Sequence, residues 1–137
     1  MGADPFSQTV EYEEDINAAL QKIRQKVFDS GEYGGSENGH ATIDDIFMDF
    51  ELMEAGGTGT IIDVTSVGDA PDISTATPLS ADELKNMFGS EKPTFDNLGQ
   101  LGDEFFSGIE RGHCRYVVLY DATGNPEKIH FAGYSWD

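Results

Sequence analysis

Three side chains near the C-terminus are of types that could do chemistry: His113, Cys114 and His130. A catalytic thiolate needs a base within hydrogen-bond reach. His113 adjoins Cys114 in sequence, and neighbours on a strand point to opposite faces, so it is a poor partner. His130 can share the Cys114 face if Tyr120 pairs with Lys128 in a hairpin. It then sits opposite Val118, four residues from Cys114 and so ~13 Å along the strand. That spacing favours an inert, packed thiol. Structural zinc wants four ligands, usually with paired cysteines. The chain has one Cys and no C-x-x-C, so no metal site and no disulfide are expected. Carboxylates near Glu110, including Asp103 and Glu104, could work with His113 or His130 in a small acid–base enzyme. A solvated helix face is the plainer account of those acids.

Two further motifs fail on spacing. An EF-hand needs alternating acids, Gly at position 6 and Glu at position 12. Counting from Asp121, Gly124 falls at position 4 and Ala132 at position 12. Gly56-Gly57-Thr58-Gly59-Thr60 is glycine-rich, but it precedes an expected strand and carries no Lys, so it is not a phosphate loop. No cofactor is implied.

The charge distribution says more. The chain of 137 residues carries a net charge of −18. Residues 1–110 hold 23 of the 26 Asp and Glu and five of the eight Lys and Arg, which is the whole −18. Residues 111–137 sum to zero. Nucleic acid and anionic membranes need positive surface, so neither is expected as a partner. A basic protein is. A lone cysteine suits a reducing cytoplasm. The first ten residues lack the basic and apolar regions of a signal peptide. Gly2 lacks the Ser or Thr at position 6 that myristoylation wants, because Phe6 stands there.

The elements that must position these groups follow from periodicity. Residues 1–12 are read as extended or loose, with Asp4-Pro5 excluding a helix. Ile16, Leu20, Ile23 and Val27 mark one face of a helix over 13–30, stopped by Gly31. Thr42 and Asp45 start a second helix whose stripe is Ile43, Ile46, Phe47, Phe50 and Met53. The β-branched run over 58–67 reads as a strand, and 68–78 as a long irregular connection. Ser80-Ala81-Asp82-Glu83 is a capping box, and Pro93-Thr94 opens another helical stretch. Residues 115–121 and 128–136 form a hairpin around the polar turn Ala122–Glu127.

In the register with Tyr120 opposite Lys128, Val117, Leu119, Ile129 and Phe131 share one face. Tyr116, Tyr120, His130, Tyr134 and Trp136 then share the other, as a candidate binding surface with polar tips. The fold expected for 1–137 is one acidic α+β domain. Its antiparallel sheet of three or more strands contains the C-terminal hairpin, and its helices pack mainly on one face. The ending Phe131-Ala132-Gly133-Tyr134-Ser135-Trp136-Asp137, with Ile109-Glu110-Arg111-Gly112-His113 before it and Asn17-Ala18-Ala19-Leu20 near the start, resembles small bacterial proteins of unknown function. The resemblance implies no activity. The composition favours a non-enzymatic, cytoplasmic binding protein of the inhibitor, immunity or nucleic-acid-mimic kind. The small enzyme, or a homo-oligomer that buries its aromatic face against itself, stands as the alternative.

Overall fold

The computed structural model describes residues 4–136. Strand β1 (Pro5–Glu11) leads to helix α1 (Ile16–Ser30), which Asp15 caps by accepting the Ala18 amide. Gly31 closes the helix in the left-handed region at φ 74°. Short helices α2 (Ile43–Phe47) and α3 (Phe50–Glu54) follow, then strands β2 (Ser66–Val67) and β3 (Thr75–Pro78). Helices α4 (Ala81–Phe88) and α5 (Phe95–Leu101) precede the hairpin strands β4 (Cys114–Tyr120) and β5 (Pro126–Tyr134). Residues 5–11, read as extended or loose, are extended and form a full strand; residues 1–3 of that stretch lie outside the described residues.

The sheet order is β1-β5-β4-β3-β2. β1, β5 and β4 pair antiparallel, whereas β3 and β2 run parallel to β4. The fold is α+β, but its sheet is mixed, not purely antiparallel. The parallel half arises because β3 and β4 are joined through α4 and α5, a crossover and not a hairpin.

Helices cover both faces, which corrects the expectation of one. On the first face, Leu20, Ile23 and Val27 of α1 pack with Ile46, Ile61, Cys114, Ile129 and Phe131. On the second, Leu98 of α5 and Phe105 pack with Val117, Leu119 and Ala132. A sheet with alternate residues apolar on both sides has to be covered twice.

The segment 58–67 is not one strand. Asp63, itself buried, accepts the amides of Thr58 and Gly59 at 2.9 Å each and the Thr58 hydroxyl at 2.8 Å. These bonds curl Ile61–Asp63 into a 3-10 turn and leave two residues for β2. The glycine-rich loop thus wraps an internal carboxylate. Burial pushes the Asp63 carboxyl upward, against the Thr58 and Gly59 hydrogen bonds and the charge of Arg24. Arg24, also buried, donates from Nε and Nη2 to the Ile62 carbonyl at 3.0 and 2.7 Å.

Candidate functional site

The hairpin register decides the fate of the aromatic surface. Leu119, not Tyr120, lies opposite Lys128, and the ladder shifts between Leu119 and Tyr120 so that Tyr120 meets Pro126. A one-residue slip sends every side chain of a strand to the other face. Tyr116 therefore shares the α1 face with Phe131, their rings 5.9 Å apart. His130 and Tyr134 lie on the opposite face against Phe105 and Phe106, at ring distances of 5.3 and 5.6 Å. Tyr120 sits at the irregularity beneath the Lys92 ammonium. Trp136 lies past the end of β5, half-buried, its indole N–H donating to Ser74 Oγ at 3.2 Å. The five residues do not form one surface.

The catalytic candidates are separated by the same register. Cys114 is buried on the α1 face, and burial pushes its thiol up to about 12. His130 is buried on the other face, its Nδ1 2.7 Å from the Thr9 hydroxyl, and burial lowers it to about 4. His113 Nδ1 is 4.0 Å from Glu110 in a cavity of about 160 Å³ that Arg115 also lines. Arg115 is committed elsewhere. Its guanidinium grips both Glu83 oxygens at 2.7 and 3.1 Å and donates to the Pro78 carbonyl. Among the described residues no cluster of His, Cys, Asp and Glu could hold a metal ion.

The arrangement that stands out lies where the second helix was expected. Its stripe predicts Ile46, Phe47, Phe50 and Met53 inside. Thr42 does start it, its hydroxyl accepting the Asp45 amide while Asp45 accepts the Thr42 amide. The helix then stops, because Asp49 begins another. Oδ1 of Asp49 accepts the Leu52 amide at 3.2 Å. Its Oδ2 accepts Asn38 Nδ2 at 2.8 Å and contacts His40 Nε2 at 2.9 Å. The other ring nitrogen of His40 is 3.3 Å from the Tyr33 hydroxyl, and Tyr33 stacks on Phe28. The His40 side chain is only 6% exposed. The hydrogen bonds from His40, Asn38 and the Leu52 amide hold the Asp49 carboxyl below the usual carboxylate range.

This restart breaks the helical period at one point. Ile46 stays buried, Phe47 lies under the Arg24 guanidinium, and Leu52 seats on Gly35. Met48 and Phe50 are thrown outward, 73% and 78% exposed. They stand among Asp44, Asp45, Glu51 and Glu54. Residues 27–84 hold 13 Asp and Glu and no Lys or Arg, so the turn projects two apolar side chains from a purely acidic stretch. An aspartate three residues before Leu52 is the sequence signal for the second cap; an unbroken apolar stripe hides it.

Comparison of the chain with protein-family models, with curated proteins and with solved structures yields no match. Among the described residues, no helix is long and apolar enough to cross a membrane.

Proposed function

We propose that the protein is a non-enzymatic, cytoplasmic binding protein that captures a basic protein, with the Met48–Phe50 turn as its anchor. The observation that carries this reading is the exposure of Phe50 and Met48 inside a segment of unbroken negative charge. Acidic surface raises the encounter rate with a basic partner and orients it. A large side chain set into a pocket of that partner then supplies the short-range energy, as aromatic anchors do at interface centres. The Tyr33–His40–Asp49 chain and the two caps hold the turn in shape before binding, which lowers the ordering cost. An inhibitor, an immunity-type protein or a nucleic-acid mimic works in this way. The alternative of a small enzyme using acids near Glu110 with His113 or His130 loses His130 to burial and keeps His113 beside Glu110.

The test is affinity capture from a lysate at low and moderate salt, with wild type, Phe50→Ala and Glu51→Gln/Glu54→Gln. The expected partner is basic, is released by salt, and is lost with Phe50→Ala. A partner held equally by Phe50→Ala would remove the turn as anchor. One indifferent to salt and to the loss of Glu51 and Glu54 would remove the steering.

A further inference from the structure

The two edges of the sheet are unlike. β2 offers two residues, whereas β1 offers seven. Tyr12 donates its amide to the Glu127 carbonyl, and Asp4 accepts the Ser135 amide, so the even-numbered residues between them bond to β5. The amides of Ser7, Thr9 and Glu11, and the carbonyls of these and Pro5, therefore point away from the sheet. Long edges are usually blunted by charge or proline within the strand. Here Pro5 and Glu11 stand at the two ends, and Phe6-Ser7-Gln8-Thr9-Val10 between them is uncharged, in a chain of net charge −18.

We propose that the β1 edge is a homodimer interface, at which two copies join antiparallel into a continuous ten-stranded sheet centred on Gln8. The segment is symmetric in chemistry about that residue: apolar, hydroxyl, amide, hydroxyl, apolar. In this register Ser7 exchanges both backbone bonds with Thr9 of the second copy, and Glu11 donates to the Pro5 carbonyl. Phe6 meets Val10 on the α1 face, where both already pack against the first core. No like charges stand opposite one another.

The surface beside the edge supports a second copy over a basic protein. An open groove of about 660 Å³ runs between β1 and α1, floored by Val10, Ile23 and Val27. An added strand places its Phe6 opposite Val10, at the margin of this groove and on the same face. The charged residues that line the groove are Lys22, Lys26 and Lys128 against Glu11, Glu13 and Glu32, which sum to zero. Two strongly acidic copies repel less across such a balanced patch than across a surface that carries acids alone.

Light scattering on a sizing column, at high protein concentration and moderate salt, should give twice the 14.9 kDa chain mass. Association should weaken as salt is lowered, because screening is lost. Gln8→Glu places two carboxylates face to face at the two-fold axis and should weaken association about threefold to fivefold. Gln8→Cys tests the register. Its two Cα atoms would lie about 4.5 Å apart as a non-hydrogen-bonded pair, within disulfide range. Mild oxidation should then give a covalent dimer, whereas Ser7→Cys, which faces Thr9, should not. Circular dichroism serves to check that each variant is folded. A mass that stays at 14.9 kDa overturns the proposal. So does a dimer in which Gln8→Cys cross-links no better than Ser7→Cys, since another surface would then be responsible.

Discussion

Nε2 of His40 lies 2.9 Å from Oδ2 of Asp49, and this contact sits where α2 gives way to α3. A carboxylate held below its ordinary range in the folded state stabilises the protein at neutral pH, and that contribution fades as pH falls through the folded value. Asp49→Asn keeps a good N-cap and removes the titration. Its thermal midpoint should fall less steeply than that of wild type between about pH 5 and about pH 3. Parallel curves would show that Asp49 titrates alike in the folded and unfolded chain.

His130 makes the opposite side of the sheet acid-sensitive in a separate window. Its ring is lowered to about 4 by burial, whereas the unfolded value is about 6.5. The unfolded chain thus binds the proton more readily, so stability is complete above about pH 6.5 and declines toward about pH 4. The unfolding free energy of wild type should drop by about 2 kcal/mol more than that of His130→Gln between about pH 7 and about pH 5. Equal drops would mean that the folded protein accepts a proton at His130 without cost.

Cys114 should be silent. With the thiol buried and pushed up to about 12, a thiol reagent near about pH 8 should react only as fast as the protein opens, and at once in denaturant. Cys114→Ser should stay folded with a loss of about 1 kcal/mol. Rapid labelling of the native protein near pH 6 would reveal a stabilised thiolate and contradict the burial.

The acidic stretch has a cost of its own. With −18 on 137 residues, self-repulsion opposes the compact state, and screening relieves it. The thermal midpoint at neutral pH should rise from low to moderate NaCl. An unchanged or falling midpoint would show that the Arg115–Glu83 and Lys22–Glu13 pairs outweigh the net repulsion.

Local signals carried some elements and not others. The α1 face was legible from Ile16, Leu20, Ile23 and Val27 because a long amphipathic period has one solution. The caps at Thr42 and Ser80 were legible because each is completed within three residues. The remaining elements depend on partners distant in sequence. β1 exists through β5, more than 110 residues away, and its alternation of Phe6, Gln8 and Val10 is too short to announce a strand unaided. The β-branched run over 58–67 was diverted by Asp63, a single buried carboxylate that captured the loop amides. The aromatic surface dissolved because one irregularity at Tyr120 moved the register by one residue. His40 and Asp49 are bridged through a side chain, so no spacing rule points to the pair.

Trp136 and Gly57 show what became of that surface. Gly57 has φ +86°, and a Cβ built on it would meet Trp136 Cζ3 at 2.7 Å and Asp63 Oδ2 at 2.8 Å. The indole is a prop laid over a glycine. Gly57→Ala should lose about 1–2 kcal/mol from left-handed strain alone, and more from the clash. Trp136→Ala, at a half-buried site, should lose about 2 kcal/mol, below the cost of a full core aromatic. In the double variant the ring clash is gone, while the strain and the Asp63 contact stay. The combined loss should fall short of the sum by about 1 kcal/mol in chemical denaturation. Strict additivity would separate the two residues. A Trp136→Ala protein that is fully stable but no longer binds its partner would return the indole to the role of anchor.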